Sequence, residues 1–495
     1  MMMFDWAGWI IEIMALAFIL VIGVVALLIV VMFVIDRTQT GDAIRRNYPV
    51  LGRFRHIFTE LGEFFRQYFF AMDREELPFN RAQRDWVKRS ISGEGNTVAF
   101  GSTRNVAVAG TPLFVNSAFP PLDDQFAKSE PLVIGSSARH PFEAQSFFNL
   151  SGMSYGAISA PAVTALSRGS KEAGIWMNTG EGGLSPYHLE GGADIVFQIG
   201  TAKNGVRHKD GRLNDEKLKE VAAHPQVKMF ELKLAQGAKP GKGGILPGAK
   251  VTAEIATIRG IDVGQDSISP NRHVDISNFN ELLDMIAHVR EVTGKPVGIK
   301  TVYGSEAPLR ELLELILERD VAPDFITLDG GEGGTGAAPL PLMDLMGVTI
   351  REALPELANL LREYGLKDRI RLIASGKLMV PGDVAWALAA GADFVTSARG
   401  FMFSLGCIQA LKCNKNTCPT GITTHDPRFQ KGLVPEDKYK KVARYAQSIV
   451  KEVELIAHSV GVPEPRQLRR QHVRLVQDSG KSIPMDVLYP VKDAS

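Results

Sequence analysis

The sequence predicts an α/β fold, a (β/α)8 TIM barrel, on two observations. Short strand-like segments alternate with helix-like segments such as NELLDMIAHVREVTG between residues 147 and 399, and this alternation is typical of a parallel sheet. Eight strand-like segments fall in that stretch, whose length matches the roughly 250 residues of such a barrel. A doubly wound sheet is the alternative, but it usually has fewer strands and would leave the last two segments without a place.

The eight predicted strands are FFNLSG (147–152), IWMNTG (175–180), KMFELKL (228–234), DSISP (266–270), VGIKTV (297–302), FITLDGG (325–331), LIASGK (372–377) and DFVTSAR (393–399). Active sites of such barrels lie at the carboxyl ends of the strands. The residues at those ends are polar and rich in cations, which suits an anionic ligand. They are Ser151, Gly152, Asn178, Thr179, Glu181, Lys233, Ser269, Lys300, Asp329, Ser375, Lys377, Ser397 and Arg399.

The first 36 residues are predicted to form a transmembrane helix. Residues 13–35 carry no charge, and about 20 apolar residues cross a bilayer core. The run is too long for a signal-peptide core and lacks a basic leader; a buried core helix is the alternative. Acidic Asp5 and Glu12 precede the run, and five arginines follow it: Arg37, Arg45, Arg46, Arg53 and Arg55. The positive-inside rule therefore places the N-terminus outside and residues 36–495 in the cytoplasm.

The rest of the chain divides by composition into a collar or cap (37–146), the barrel with its cysteine loop (147–425) and a C-terminal extension (426–495). Residues 53–88 mix arginine with phenylalanine and tyrosine. This pattern fits an amphipathic helix on a membrane surface and, equally, a helical collar packed on the globular part. The net charge of +1 shows no basic excess, so no nucleic-acid partner is expected.

The only three cysteines, Cys407, Cys413 and Cys418, lie within twelve residues, in the spacing C-x5-C-x4-C followed by Pro419. An odd, clustered set argues against a disulfide framework and favours a reducing compartment. Thiolates suit iron–sulfur clusters and zinc, and three of them can each bind one iron of a cubane-like cluster. Zinc with His425 as fourth ligand is the alternative, although the C-x2–4-C knuckle of structural zinc sites is absent. Three unrelated buried thiols would not need to crowd together.

Two glycine-containing regions predict binding loops. Residues 331–336, GEGGTG, satisfy the dinucleotide pattern G-x-G-x-x-G. However, Pro339 and Pro341 follow and nothing nearby resembles a regular helix start, so an active-site loop of the barrel is the better interpretation. The loops after the seventh and eighth strands of a barrel often bind phosphate. Ordinary packing of small residues at strand ends is the alternative. The candidates for phosphate binding are Ser375, Gly376, Lys377, Ala398 and Arg399.

Eight motifs, in order over roughly residues 150–425, resemble the FMN- and iron–sulfur-binding synthase domain of glutamate synthase. They are SGMSYGAIS (151–159), NTGEGG (178–183), AQGAKPGKGGILPGAKV (235–251), IATIRG (255–260), SPNRHVDI (269–276), IKTV (299–302), DGGEGGTGAAPL (329–340) and GCIQALKCNKNTCPTGI (406–422).

The resemblance implies a (β/α)8 barrel that binds FMN and, through the three cysteines, a [3Fe–4S] cluster beside the flavin. It implies that Lys239 and Arg259 grip the carboxylates of 2-oxoglutarate and that Glu181 orients the imine or ammonia. Lys300 would stabilise negative charge near the flavin N1/C2 edge. The residues expected to hold FMN are Ser151, Gly152, Met153, Ser154, Lys300, Asp329, Gly330, Gly331, Ser375, Gly376, Lys377, Ala398 and Arg399.

The chain departs from the family's common GAKPGEGGQLPG motif at two positions, where it has Lys242 and Ile245. The glutamine replaced by Ile245 helps to bind the oxo-acid in the family, and the loss of a hydrogen bond to a charged ligand costs about 1.5–3 kcal/mol. Lys242 adds a cation that compensates. The departure leaves the identity of the oxo-acid open.

The function expected from the resemblance is reductive amination of 2-oxoglutarate to glutamate through 2-iminoglutarate, with electrons passing from the cluster to FMN. With all three cysteines assigned, no thiol is left to hydrolyse glutamine, so ammonia is expected free or from a partner. Ferredoxin or a separate reductase subunit is the expected electron donor, because no convincing NAD(P)H motif is present. A homo-oligomer is compatible with the sequence.

Three other functions stay open. Methylamine in place of ammonia would give N-methylglutamate. An amino-acid oxidase feeding electrons to the membrane would run the chemistry in the opposite direction. A membrane-anchored flavin redox sensor or assembly scaffold would have no turnover, although the presence of Lys239, Arg259, Glu181 and Lys300 argues against lost chemistry.

Overall fold

The structure, a computed structural model, describes residues 2–39 and 42–491. Residues 40, 41 and 492–495, which belong to the predicted collar and C-terminal extension, lie outside the described part. The chain divides into two units, Met1–Ala82 and Gln83–Ser495. This division, between Ala82 and Gln83, falls inside the region 37–146 that the sequence assigns to a single collar. The bounds predicted for the membrane helix, the barrel and the C-terminal extension stay predictions.

The first unit is helical, and its first helix is long and apolar. The unit contains α1 (Met2–Thr38), α2 (Ala43–Asn47), α3 (Leu51–Phe65) and a π-helical turn (Arg66–Phe70), and α4 (Arg81–Ser92) begins at its end. From Gly8 to Thr38, α1 is long and apolar enough to cross a membrane, and the apolar window is exposed throughout. Length and composition thus agree with the predicted membrane-crossing segment.

The strands all lie in the second unit. They are β1 (Pro112–Phe114), β2 (Leu132–Ile134), β3 (Phe142–Ala144), β4 (Phe148–Leu150), β5 (Met177–Asn178), β6 (Ile195–Ile199), β7 (Val227–Lys233), β8 (Ile245–Leu246), β9 (Ser267–Ile268), β10 (Val297–Thr301), β11 (Phe325–Asp329), β12 (Arg371–Ser375), β13 (Phe394–Ser397), β14 (Val473–Val476) and β15 (Ser482–Pro484).

The remaining helices are α5 (Ala160–Ala173), α6 (Pro186–Glu190), α7 (Asp215–Ala223), α8 (Ala253–Arg259), α9 (Phe279–Thr293), α10 (Glu306–Arg319), α11 (Leu340–Leu345), α12 (Ile350–Glu363), α13 (Pro381–Ala390), α14 (Arg399–Ser404), α15 (Pro427–Gln430), α16 (Pro435–Val460) and α17 (Met485–Leu488). Short 3-10 turns occupy Asp123–Gln125, Gly180–Gly182, Gly248–Lys250, Pro465–Gln467 and Arg470–His472.

The predicted barrel is confirmed. Eight strands close into a ring in the order β4, β5, β6, β7, β10, β11, β12 and β13. Every neighbouring pair is parallel, and the ring closes where β13 pairs with β4. The strands are buried on both faces and read as apolar runs, as parallel strands covered by helices do.

One of the eight predicted strands was wrong and one was missed. DSISP (266–270) is not a barrel strand: only Ser267–Ile268 is extended, it pairs antiparallel with β8, and Ile268 is 64% exposed. The missing barrel strand is Ile195–Ile199, a fully buried run without the polar alternation that marks a half-exposed strand. Both errors lie before the fifth strand. Lys300, Ser375 and Ser397 therefore lie on the fifth, seventh and eighth barrel strands, as predicted.

The amino end of the barrel is closed by packing. Ile134, Phe142 and Ala144 of the β2–β3 hairpin join Trp176 and Phe394 at the starts of barrel strands in one hydrophobic cluster. On another side of the barrel, α16 packs against α5. A Cβ on Gly169 would lie 2.5 Å from Cγ1 of Val442, so only glycine allows this approach. The carboxyl end of the barrel is left for binding.

Candidate active site

Glu181 lies at the carboxyl end of the barrel, held in place by glycines. It occupies the 3-10 turn that follows β5, and Gly180 there has a φ of +63°. A Cβ on Gly200 would lie 2.5 Å from Cβ of Glu181, and a Cβ on Gly244 would lie 2.0 Å from its Oε1. Two other loops therefore pack against the Glu181 side chain, and they can do so only because Gly200 and Gly244 have no Cβ.

Three cations surround Glu181. Lys233 Nζ lies 3.2 Å from Glu181 Oε2, and Lys239 and Arg259 are close enough to act on the same carboxylate. Burial raises the pKa of Glu181, but these cations outweigh it, so the pKa falls below its usual value and the carboxylate stays ionised. The structure thus brings together three predicted site residues, Glu181, Lys239 and Arg259.

Arg259 is buried with part of its guanidinium unpaired. It is 4% exposed, and its Nη2 donates to the Tyr155 carbonyl oxygen at 3.2 Å and to Ser154 Oγ at 3.4 Å. Its Nε has no hydrogen-bond partner among the described residues. Burial lowers the pKa of Arg259 to about 10, against the opposing effect of Glu181. A buried donor without a partner is costly, and a carboxylate ligand would satisfy it.

Lys239 is a buried lysine whose pKa is lowered. It is 2% exposed, and its Nζ donates to the Ala337 carbonyl oxygen at 3.0 Å. Burial lowers the pKa of Lys239 to about 8; Glu181 opposes the fall, and Lys233 and Lys242 add to it. Its charge therefore depends on pH close to neutrality. Lys242, one of the two departures from the family motif, is exposed.

The sequence places Lys233 among the polar strand-end residues but indicates no specific role for it. Lys233 is the last residue of β7 and so lies at the carboxyl end of a strand. Besides Glu181, its Nζ bonds Gln236 Oε1. Lys233 therefore holds the Glu181 carboxylate in the pocket and adds a positive charge to it.

Lys300 and Asp329 form a second buried pair, from adjacent strands β10 and β11. Lys300 Nζ lies 3.6 Å from Asp329 Oδ2, and Asp329 also accepts a hydrogen bond from the Gly237 amide at 2.8 Å. Burial raises the pKa of Asp329, but Lys300 and the Gly237 amide outweigh it and lower the pKa. A Cβ on Gly237 would lie 1.8 Å from the Gly330 carbonyl oxygen. The loop after β7, which carries Gly237, and the predicted FMN loop at Gly330 and Gly331 are thus in direct contact.

The interior of the barrel holds a polar network that sequence reasoning missed. Glu231 accepts hydrogen bonds from Asn178 Nδ2 at 2.8 Å, Gln198 Nε2 at 2.7 Å and Thr327 Oγ1 at 2.6 Å. Asn178 in turn accepts the Gly180 amide at 2.9 Å. Glu231 therefore fixes the turn that carries Glu181. The only signal was a charged residue in the middle of an apolar strand.

The first barrel loop lies against this network. A Cβ on Gly152 would lie 2.9 Å from Asn178 Oδ1, the Ser151 amide donates to the Ser397 carbonyl oxygen at 3.0 Å, and the Met153 amide donates to the Asn178 carbonyl oxygen at 3.4 Å. A small cavity lies between these strands, with Ser151, Asn178, Glu231 and Lys300 in its lining. Predicted cofactor residues from separate strands thus line one cavity.

Lys377, in the loop after β12, lies close enough to Arg399, after β13, for their charges to interact. Gly376 and Lys377 have φ of +117° and +58°, and Arg399 Nη2 donates to the Glu332 carbonyl oxygen at 3.0 Å. A Cβ on Gly334 would lie 2.8 Å from the Arg399 guanidinium carbon. Burial lowers the pKa of Arg399 to about 10. Glycines and cations therefore share one end of the barrel, in the surroundings that an anionic phosphate group requires.

The three cysteines are free thiols in one loop after α14. Burial raises the pKa of Cys407 to about 11, and the other two thiols add to the rise. No group of three His, Cys, Asp or Glu side chains in the described part of the chain converges on a position for a single metal ion. His425 Nε2 bonds the Gly156 carbonyl oxygen at 2.8 Å.

Lys250 links the cysteine loop to the first barrel loop. It is 2% exposed, and its Nζ donates to the carbonyl oxygens of Ala157 and Cys413. Burial lowers the pKa of Lys250 to about 8, while Cys413 and Cys418 oppose the fall. A second tie runs from Asn416 Nδ2 to the Ala249 carbonyl oxygen at 3.1 Å. The thiols are thus fixed beside the loop that carries Ser151–Ser154.

A closed parallel barrel with charged side chains at the carboxyl ends of its strands is the architecture of a barrel enzyme. The family model described as "Conserved region in glutamate synthase" matches residues 119–463. The chain belongs to the glutamate synthase family, whose members are oxidoreductases, and the resemblance noted in the sequence is confirmed.

Curated relatives agree with this family. The chain is 41% identical over 510 aligned positions to "Glutamate synthase large subunit-like protein YerD" of Bacillus subtilis (strain 168), covering 94% of this chain and 97% of that protein. It is 38% identical over 326 positions to "Archaeal glutamate synthase [NADPH]" of Methanocaldococcus jannaschii, covering 65% of this chain and 60% of that protein. The chain thus spans well under two thirds of the length of the archaeal relative.

Among solved structures, a mutant flavocytochrome b2 with pyruvate bound has a TM-score of 0.48 and 16% sequence identity, covering 76% of this chain and 80% of that one. A mandelate oxidase structure has a TM-score of 0.45 and 15% identity, covering 79% of this chain and 99% of that one.

Proposed function

We propose that this protein reductively aminates 2-oxoglutarate to glutamate, using FMN and a [3Fe–4S] cluster. The observation that carries the proposal is the charge of the pocket. Lys233, Lys239 and Arg259 surround the single carboxylate of Glu181, which leaves two positive charges uncompensated. A dicarboxylate such as 2-oxoglutarate supplies two negative charges.

The chain's own residues divide the work of binding and orientation. Arg259 offers a planar guanidinium to one carboxylate and Lys239 a point charge to the other. Glu181 remains ionised and orients ammonia or the imine nitrogen. Ammonia and 2-oxoglutarate give 2-iminoglutarate and water, and a hydride with a proton converts the imine to glutamate. Lys233 keeps the Glu181 carboxylate in position throughout.

FMN fits the second group of residues. It would bind at the carboxyl end of the barrel beside Ser151 and Lys300, and the loops that carry Gly376, Lys377 and Arg399 would hold its phosphate. Bound FMN would supply the hydride that reduces the imine. Lys300 would stabilise negative charge on the flavin, and Asp329 holds Lys300 in place.

The cysteine loop fits an iron–sulfur cluster better than a single ion. Each thiolate of such a cluster binds a different iron, so its sulfurs need not converge on one point. Cys407, Cys413 and Cys418 are free, and their loop is tied by Lys250 to the first barrel loop. We infer that a [3Fe–4S] cluster held there relays electrons from ferredoxin or a separate reductase subunit.

We further propose that α1 crosses a membrane once, with the N-terminus outside and the catalytic unit in the cytoplasm. Support comes from the length and apolar composition of α1 and from the arginines that follow it. The proposed bounds are 1–36 for the membrane helix, 37–146 for the collar, 147–425 for the barrel and 426–495 for the extension.

A substrate screen tests the proposed function. Chemically reduced enzyme in mild detergent is mixed anaerobically with 2-oxoglutarate and either ammonia or methylamine, and flavin reoxidation and product are measured. We expect reoxidation with 2-oxoglutarate and ammonia, and glutamate as product. If N-methylglutamate is the favoured product, the amine substrate is methylamine and not ammonia. The absence of turnover with any oxo-acid would overturn the proposed function.

Arg259→Gln tests the role of the pocket. Loss of a charged hydrogen bond of about 1.5–3 kcal/mol predicts a KM for 2-oxoglutarate raised by about 10- to 150-fold. Arg212→Gln is the matched control, because Arg212 forms an ion pair with Asp210 at the surface and its side chain is 77% exposed. Equal KM values for the two variants would show that Arg259 does not bind substrate.

A further inference from the structure

The junction after α1 is built around one buried carboxylate. Asp36 lies in the last turn of α1 and is 0% exposed, although the helix before it is exposed. Its carboxylate accepts hydrogen bonds from Arg45 Nη2 at 2.6 Å, from Arg53 Nε at 2.8 Å and from the Val50 amide at 3.0 Å. α2 and α3 are therefore both tied to the end of α1.

This junction fixes where α3 begins. Val50 takes a φ of +65°, a conformation that a β-branched residue rarely adopts, and its amide points at Asp36. A Cβ on Gly52 would lie 2.9 Å from Cα of Arg45, so α2 and α3 approach closely only because this residue is glycine. Since the uncharged run of α1 ends at Ile35, the first turn of α3 lies level with the end of that run.

From this point α3 presents an exposed apolar face. Its large apolar residues recur three or four positions apart, as on one face of a helix, and the π-helical turn adds three aromatic residues. Their exposed fractions run from 41% for Leu61 to 74% for Phe70. The residues are Leu51, Phe54, Ile57, Phe58, Leu61, Phe64, Phe65, Tyr68, Phe69 and Phe70. Contiguous exposed apolar surface of this kind marks an interaction site.

We propose that α3 and the π-helical turn lie on the membrane surface, with this aromatic face in the boundary between headgroups and acyl chains. Aromatic residues concentrate at that depth, and amphipathic helices lie in the same plane. Exposed arginines beside the junction complement anionic headgroups: Arg37, Arg46 and Arg55. Continuity with the end of the uncharged run selects lipid as the occupant, and the inference rests on the proposed membrane crossing of α1.

Site-specific photo-crosslinking in the full chain tests this inference. The crosslinker p-benzoylphenylalanine replaces Phe58 on the apolar face, Thr59 on the opposite side of the same helix, or Leu20 within α1. Thr59 is exposed as well, so it is the matched control. Each variant is reconstituted in vesicles of phosphatidylcholine and phosphatidylglycerol, irradiated, and the peptides carrying lipid are quantified by mass spectrometry.

We expect lipid adducts at positions 20 and 58, with at least about tenfold more at 58 than at 59. Adducts at 20 without adducts at 58 would overturn the surface helix and leave the membrane crossing intact. No adduct at 20 would overturn the crossing and the inference together. A protein–protein crosslink at 58 would show that a second copy or another part of the chain covers the face, and equal lipid yields at 58 and 59 would refute its orientation.

Discussion

Gly244→Ala places a methyl group where the Glu181 carboxylate now lies. The added Cβ would stand 2.0 Å from Glu181 Oε1 and 2.7 Å from its Cδ. No φ outside the ordinary range strains residue 244, so the substitution acts through this contact alone. The carboxylate is the free end of a side chain and moves away. Its ion pair with Lys233, 3.2 Å long, is then broken.

The size of the effect follows from that lost pair. A hydrogen bond to a charged group contributes about 1.5–3 kcal/mol, and each 1.36 kcal/mol is tenfold in rate. We therefore expect kcat for glutamate formation to fall by about 10- to 150-fold. The flavin content stays unchanged, because Lys300, Asp329 and the loops after β12 and β13 are not touched.

The assay is steady-state glutamate formation with flavin absorbance measured on the same sample. Gly304→Ala is the matched control, since a Cβ there meets nothing within 4 Å. Glu181→Gln removes the charge and keeps the shape, and it is expected to lower kcat to a similar extent. Wild-type kcat in Gly244→Ala, with normal kcat in the control, would refute the claim that the position of Glu181 matters.

Three further predictions follow from the same structure. Burial lowers the pKa of Lys239 to about 8, so the side chain loses its charge above that pH and the KM for 2-oxoglutarate rises there by about tenfold per pH unit. We expect Lys239→Arg to abolish this rise. A rise in KM that persists in the variant would contradict the assignment of Lys239 to substrate binding. Lys250→Met removes a cation beside the thiols and shifts the reduction potential of the cluster to more negative values, by about 59 mV for each 1.4 kcal/mol lost. A redox titration followed by EPR measures the potential, and Lys250→Arg is the control. An unchanged potential in Lys250→Met would show that Lys250 does not tune the cluster. Gly169→Ala lowers the free energy of unfolding by about 1–3 kcal/mol, because the added methyl group contacts Val442. Gly382→Ala is the control, since its Cβ meets nothing within 4 Å, and it leaves the free energy of unfolding unchanged or raises it. Equal effects of the two variants in urea unfolding would show that α16 does not pack closely on α5.

Much of the fold could be predicted because seven barrel strands are short apolar runs that end in polar residues. The eighth, Ile195–Ile199, shows no alternation, because both its faces are buried, and its sequence alone does not distinguish it from a buried helix segment. DSISP has the turn-forming neighbours of a strand, but Ile268 is exposed and the segment forms only a two-residue antiparallel pair. The local sequence pattern could not show which of the two segments, Ile195–Ile199 or DSISP, is a barrel strand. The closed barrel shows that it is Ile195–Ile199.

The sequence predicted the candidate site residues that belong to strand-end loops and family motifs. It did not predict the residues whose role is to hold other side chains in position. Glu181, Lys239 and Arg259 lie far apart in sequence, and the motifs of the family named them. Lys233 and Glu231 act by holding Glu181 and Asn178, and such support is visible only once the strands are placed side by side. The unpaired Nε of Arg259 is likewise a property of packing.

The central claim is that this barrel carries FMN and an iron–sulfur cluster in one chain. Anaerobic quantitation of iron, sulfide and flavin, with EPR of the oxidised protein in mild detergent, tests it most directly. The account predicts one FMN and about three irons per chain, the number that three separate cysteine ligands can bind, with a [3Fe–4S] signal that Cys413→Ala abolishes. FMN without iron would contradict the electron relay, and a folded protein with neither cofactor would contradict the whole account.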